Sequence, residues 1–505
     1  MTGAGAIDRE AEFDAEVIIV GAGFAGIGAG IQLKEAGIED FVILEKANEV
    51  GGTWRDNTYP GLAVDVPSYS YSYSFELNPN WSRLYAPGAE LQQYAKDCTD
   101  KYDLRNRIRF GTSVLCARYD EALCIWEVEL ADGGRLKGRF LISASGLLIL
   151  PKMPEIEGIE TLSGTVLHSA RWDHEVDLKE KRVAVIGTGA TAVQLIPAIV
   201  DKAASLDVYQ RTPIWLMPKP DQEFSERTQR LFRSFPFSQK FLRLATSLLS
   251  DVMLGFGFLR HRRFPWIFEA VEKRLVEYIE EQVDDPETQK ALTPNYSFFC
   301  KRPSFSNEYF AVFNRKNVDL VTSPIARVDE TSIATEDGRA RPVDVLICAT
   351  GYDVFNRSCP PTFEVEGRDG KNLKDFWERE RFQAFMGASV PDFPNFFLVL
   401  GPYSAPGISY FDMINTQVHH LVRCIKAARR NGARSVEVKR EAHEKDLRHV
   451  LARKDDTVFG SGSCDGSNSY YIDKHGDVPG LRPMSFTFAW LKSRTFSLKA
   501  YRFLP

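Results

Sequence analysis

A chain of 505 residues is longer than one hydrophobic core serves, so two or three domains are expected. Hydrophobic residues make up 44% and charged residues 26%, the balance of an ordinary globular protein. The net charge of −5 argues against the basic surface that nucleic-acid phosphates select, and no nucleic-acid partner is expected.

Residues 1–16 are small and acidic, which excludes a signal peptide and predicts a mobile tail. Val17-Ile18-Ile19-Val20 reads as a strand buried on both faces, entering the turn Gly21-Ala22-Gly23-Phe24-Ala25-Gly26. In such a turn the first glycine bends the chain, the second admits a pyrophosphate and the third lets helix and strand pack closely. A second strand, residues 41–44, ends at Glu45-Lys46, where an acid accepts from a ribose diol. Strand, turn, helix, strand and acid in register predict a first nucleotide site.

Gly51-Gly52-Thr53-Trp54 follows, then Asn57 to Asp65 and a Ser/Tyr alternation from Ser68 to Phe75, which includes Tyr71 and is expected as a short strand or extended loop. Residues 108–144 alternate around the turn Asp132-Gly133-Gly134 and predict an antiparallel meander. The buried run 140–144 then reaches Ser145-Gly146, and Pro151 and Pro154 mark a linker. Leu162-Ser163-Gly164, His168 and Trp172-Asp173 precede a second strand, Val183-Ala184-Val185-Ile186. The turn Gly187-Thr188-Gly189-Ala190-Thr191-Ala192 has Ala in place of the third glycine. The next strand, 206–209, ends in Gln210-Arg211-Thr212 with no acid. An arginine there suits a 2′-phosphate, so NADPH is the expected second nucleotide.

These motifs resemble the type I Baeyer–Villiger monooxygenases of the flavin-containing monooxygenase superfamily. Their fingerprint corresponds to Gly164, His168, Trp172 and Asp173, although Leu162 stands where Phe is usual. The resemblance implies an α/β fold with two Rossmann-like dinucleotide-binding domains, for FAD and NADP, and an inserted helical region. It places Gly52, Thr53, Trp54, Asp65 and Tyr71 along the flavin. Leu62-Ala63 stands where relatives often carry Ala-Arg, so a contact from that arginine is not expected.

Residues 221–285 lose the strand pattern, and Ile267, Val271, Leu275, Tyr278 and Ile279 share one helical face. The run 244–259 is very apolar but holds Asp251, Gly255 and Gly257 and falls short of the ~20 residues that span a bilayer. A buried helix or the wall of an apolar channel is expected, with Met253 and nearby phenylalanines lining it or filling core; no membrane span is expected, and contact with a membrane interface is the lesser alternative. Arg260 to Arg263 reads as a solvated helix end.

Lys301-Arg302 follows the helices; the resemblance gives the lysine to the NADP phosphate and the arginine to the flavin. Ala349-Thr350-Gly351 resembles the second crossover between domains, and residues 396–400 read as a further buried strand. His419 and His420 face different ways on their helix, so no shared metal is expected. The loop around Ser467, Tyr470, Tyr471 and Asp473 is either a cover for the site or a surface connection.

The expected division is 1–146 and 351–505 for the FAD domain, 147–220 and 297–350 for the NADP domain, and 221–296 for the helical insertion. The eight cysteines show no C-x-x-C pair and no His cluster, predicting a reduced, cytoplasmic protein without structural zinc, a monomer or weak homodimer. The function implied is an FAD- and NADPH-dependent monooxygenase that inserts one oxygen of O2 beside the carbonyl of a small apolar ketone. Arg302, Asp65, His168 and Trp172 are its candidate catalytic set. A flavin N- or S-monooxygenase of similar architecture, or a non-oxygenating FAD/NADPH oxidoreductase, are the alternatives.

Overall fold

Two β-branched runs, each without a polar face, form the centres of two separate sheets. The computed structural model describes residues 13–355, 361–404 and 409–505, so most of the tail expected at 1–16 lies outside the described residues. In the first sheet β1 (Ala15–Val20), buried along its whole length, leads into α1 (Phe24–Glu35) and then β2 (Phe41–Leu44). β3 (Arg135–Ser143) returns on the other side, parallel to β1, with Val17 opposite both Phe41 and Phe140. The antiparallel strands Val114–Asp120 and Ile125–Leu130 extend β3 outward, the meander expected from residues 108–144. Phe396–Leu398 also pairs with β3, and the long helix Tyr410–Arg430 packs on α1. Trp126 is fully buried in this half, and its indole N–H donates to the Pro394 carbonyl (2.9 Å), so a large apolar ring enters the core with its polar atom satisfied.

The second sheet is all parallel. It contains β4 (Thr165–His168), β5 (Arg182–Ile186), which enters α2 (Ala190–Ile199), and β6 (Ser205–Tyr209). After the helices the chain returns with Val318–Val321 and β7 (Val345–Cys348), in the order 318–321, β6, β5, β7, β4. A small antiparallel sheet over residues 325–342, not predicted from the sequence, sits between these two returning strands in the chain.

The inserted segment is helical, and Leu275, Tyr278 and Ile279 are the buried face of Trp266–Gln282 as their spacing requires. Two expectations fail here. The apolar run is neither short nor buried: α3 (Pro236–Met253) continues through a π-turn to Phe258, a helical stretch of 23 residues. Its side chains from Phe237 to Phe256 lie largely in the open, Met253 and Phe256 among them, while Gly257 and Phe258 are buried. The interruption at Asp251 is tolerated because its carboxylate caps a different helix, α4 (Phe486–Thr495), accepting from Phe486 and Thr487 N–H (2.7 and 2.9 Å). The second failure concerns redox state. Cys300 and Cys464, 164 residues apart, form a disulfide that no local spacing announces. The Ser/Tyr stretch 68–75 is a series of turns, with no strand.

Candidate active site between two nucleotide turns

The first turn is shaped by backbone that only glycine accepts. Gly21 has φ +105°, and a side chain there would meet the Ala144 carbonyl; one on Gly26 would strike the Gly21 carbonyl oxygen at 1.8 Å. Gly23 and Gly52 approach each other closely enough that a Cβ on Gly52 would lie 3.1 Å from the Gly23 Cα. Gly23 is the N-cap of α1 with no side-chain cap and no acid in the first turn, and Gly189 is the same for α2. Four other helices are capped in the usual way, by Ser225, Asp285, Asn372 and Ser485. Others, such as Trp266–Gln282 and Tyr410–Arg430, also lack a side-chain cap, so it is the glycine cradle that sets the ends of α1 and α2 apart. Two uncapped helix ends behind glycine cradles fit the pyrophosphates of two dinucleotides.

Glu45 sits at the end of β2, buried, while Lys46 is exposed. The Glu45 carboxylate accepts from the N–H of Ala22 (2.8 Å) and Ala47 (3.0 Å) and from Arg55 (2.9 Å). Three of its roughly four acceptor positions are thus used within the protein, and its capacity toward a ribose is smaller than the sequence suggested. Thr53 Oγ1 reaches the Leu148 carbonyl, and the Trp54 indole donates to the Tyr71 hydroxyl (3.2 Å), their rings edge to face at 5.6 Å.

Asp65 and Arg302, 237 residues apart, form a two-pronged ion pair: Nε to Oδ2 at 2.8 Å and Nη2 to Oδ1 at 2.7 Å. Asp65 strengthens the hold of Arg302 on its proton, so the guanidinium is a permanent charge. Lys301 differs: desolvation, then the charge of Arg211, lowers its pKa to about 8. Arg211 is exposed at the end of β6, and Thr188 Oγ1 donates to the Thr212 carbonyl (3.0 Å) at the base of the second turn. Two mutually repelling cations beside an uncapped helix end form a donor set that fits a phosphate-bearing nucleotide.

His168 lies over the two crossovers. Its Nε2 is 3.5 Å from Thr350 Oγ1, and its Nδ1 accepts from Ala170 N–H (3.1 Å). Burial lowers its pKa, keeping the ring neutral. The crossovers pair with each other: Lys152 N–H donates to the Gly351 carbonyl and Asp353 N–H to that of Leu150, both at 2.9 Å. Ala349 is buried, and its carbonyl abuts Gly187, whose φ is +113°. Trp172 is partly buried against the core of the second sheet. The halves also meet where Tyr59 donates to Gln194 (3.0 Å) and Gln194 to the Ala63 carbonyl (2.9 Å). Ala63 thus occupies the backbone position where relatives often place an arginine.

Sequence reasoning left the C-terminal loop between a cover for the site and a surface connection, and missed its ties to the site. Asn468 donates to Thr212 Oγ1 (2.9 Å), the Cys300–Cys464 disulfide ties the loop to the residue before Lys301, and Tyr470 and Tyr471 lie close enough to feel the charge of Arg302. These partners come from 164 to 256 residues away and carry no motif.

Comparison with known proteins agrees with this geometry. Residues 18–234 match the family described as pyridine nucleotide-disulphide oxidoreductase. A Baeyer–Villiger monooxygenase of Pseudomonas aeruginosa is 38% identical over 459 residues, 90% of this chain and 85% of that one. One of Streptomyces coelicolor is 35% identical over 490 residues, 97% of this chain and 92% of its own length. The crystal structure of OTEMO in complex with FAD and NADP superposes with a TM-score of 0.85 at 27% identity, covering 98% of this chain and 100% of that one. Similarity of this extent, carried through both nucleotide turns and the helices between them, makes the chain a member of the Baeyer–Villiger monooxygenase family of flavin-dependent oxidoreductases.

Proposed function

We propose that Arg302, fixed by Asp65, is the cation around which this FAD- and NADPH-dependent monooxygenase carries out Baeyer–Villiger oxidation of a small apolar ketone. The overall change is ketone + O2 + NADPH + H⁺ to ester or lactone + NADP⁺ + H2O. FAD supplies the redox and oxygen-activating chemistry when bound at the first turn. Gly21, Gly23 and Gly26 admit its pyrophosphate, with Phe24 and Ala25 in the helix end behind them. Gly52, Thr53, Trp54 and Tyr71 line its ring system, and Glu45, with one acceptor position left, meets the ribose. Gly187, Thr188, Gly189, Ala190 and Thr191 hold the NADPH pyrophosphate, while Arg211, Thr212 and Lys301 take its 2′-phosphate.

Arg302 presents a charge that stays protonated at any working pH, beside the place where negative charge develops on oxygen. Asp65 fixes the fork so that its remaining N–H groups need no reorganisation. His168, neutral and seated on Thr350 beside Gly351 and Ala349, transmits the position of the NADP half to the crossovers, and Trp172 anchors that segment. Consumption of NADPH points to a cytoplasmic enzyme, working as a monomer or weak homodimer.

The observation that carries this reading is the two-pronged Asp65–Arg302 pair, which joins motifs 237 residues apart. Arg302→Ala should retain FAD, keep oxidising NADPH and release H2O2, while ester formation falls by more than ~10². Arg302→Lys should recover little, since an ammonium lacks the planar fork. A ketone panel with parallel measurement of NADPH, ester and H2O2 decides it; native coupling in Arg302→Ala would remove this residue from the reaction.

A further inference from the structure

Helix α3 is inverted relative to a helix that faces water. Several of its polar side chains point inward: Gln239 donates to the Asn78 carbonyl (2.9 Å), Thr246 to the Tyr69 hydroxyl (3.3 Å) and Arg243 to the Ser70 and Ser72 carbonyls (3.1 and 2.6 Å). Arg243 also forms a buried ion pair with Asp412. Its apolar side chains point outward, with Phe237 80% exposed, Phe241 69%, Leu244 57%, Leu248 49%, Leu249 62% and Val252 55%. The steps of three and four between them make one continuous stripe. Helix α4, fastened to α3 through Asp251, widens the stripe with Phe488, Trp490 and Leu491. Scattered apolar residues on a surface need no explanation, but a contiguous face of this extent does.

The charges around the stripe are mostly of one sign. Residues 227–263 hold eight Lys/Arg, of which only Arg243 is turned inward onto Asp412, and a single Asp, the residue capping α4, in a chain whose net charge is −5. Several cations sit over aromatic rings of the stripe: Lys240 over Phe237 at 5.6 Å, Arg260 over Phe256 at 5.3 Å and Arg494 over Trp490 at 4.1 Å. Side chains with an apolar stem and a charged tip suit the boundary between acyl chains and phosphates. A second copy of the chain fits less well, because pairing two such faces brings like charges together.

We propose that α3 and α4 dock this enzyme onto an anionic phospholipid surface, lying in the plane of the headgroup boundary with the rim cations on lipid phosphates. The helical stretch is about 35 Å long at 1.5 Å per residue, enough to cross a bilayer. It lies flat instead, because Arg243, Gln239 and Asp251 bind its inner side to the rest of the fold. Interfacial membrane contact was the lesser of the sequence-based readings of this run, and the exposure of its apolar side is what favours it.

The test is co-sedimentation of the FAD-loaded full chain with vesicles of phosphatidylcholine alone or containing about one-third phosphatidylglycerol. The native protein should pellet with the anionic vesicles at low salt and be released in part by raising the salt. Phe237→Ser, Phe241→Ser and Leu249→Ser combined should lower the bound fraction about tenfold or more while flavin absorbance is kept. Arg260→Ser with Arg262→Ser and Arg263→Ser should abolish the preference for anionic over neutral vesicles. A native protein that stays in the supernatant with anionic vesicles would overturn the proposal. So would a concentration-dependent dimer in sedimentation velocity that the triple Ser variant converts to monomer while no vesicle binding is seen, since the face would then belong to a second copy.

Discussion

Lys301 and Arg302 are neighbours in sequence but sit in opposite electrostatic settings. Arg302 faces Asp65 and keeps its charge; Lys301 loses solvent and faces Arg211, which brings its pKa to about 8. The sign follows directly: the ammonium is present below pH 8 and lost above it, so the attraction proposed for a 2′-phosphate should fade as pH rises. The kcat/KM for NADPH, which reports free-enzyme groups, should fall about tenfold per unit above pH 8. The NADH profile should stay flat there, and Lys301→Arg should flatten the NADPH profile. A parallel loss with both nucleotides would place the titration elsewhere. Both residues were readable in the sequence because they belong to a motif with fixed order. Asn468 was not, and Tyr470 and Tyr471 were left between two readings, because a loop residue gains its meaning only from the neighbours that folding brings.

Turns and strands were the most legible elements. A run such as residues 17–20 can only be a strand covered on both faces, and the glycines after it can only be a close turn. Gly21→Ala would place a methyl at φ +105° against the Ala144 carbonyl, 2.8 Å away, a strain of about 1–3 kcal/mol in the turn itself. The purified variant should therefore be colourless, or lose its flavin on dialysis, as absorbance near the flavin bands will show. The disulfide element was illegible because pairing depends on geometry that spacing does not encode. Mild reduction, or Cys464→Ser, should free the loop from the Lys301 segment. Limited proteolysis should then cut between residues 461 and 480, and kcat/KM for NADPH should drop while bound FAD is unchanged. Helix α3 shows a different limit: composition identified an apolar run but could not say that its apolar side points outward.

Across the whole molecule, stability should depend on acid more than the count of surface ion pairs suggests. His420 lies against Phe496, with its Nε2 2.6 Å from the Tyr501 hydroxyl, and His443 contacts Gln383 at 2.7 Å. Burial lowers their pKa values from 6.5 to about 3 and about 4. The unfolded chain binds these protons first, so stability is full above pH 6.5 and falls as pH drops toward the folded values. Together they should remove about 3 kcal/mol by pH 5.5, and thermal unfolding between pH 7 and 5 should show Tm falling, less so in His420→Phe. The architecture itself was legible in outline, two sheets and a helical insertion, since each half carries its own strand-turn-helix signal. What the sequence did not display is how the halves are joined. The chain crosses between them twice, at residues 145–152 and 349–353, and the two crossings are hydrogen-bonded into one ribbon beneath His168. Separate tethers would leave the NADP half free to swing on several axes. A paired ribbon bends more easily across its plane than it shears within it, so relative motion of the halves should be a turn about one axis, with the Tyr59–Gln194–Ala63 and Asn468–Thr212 contacts as the latches that such a turn must release.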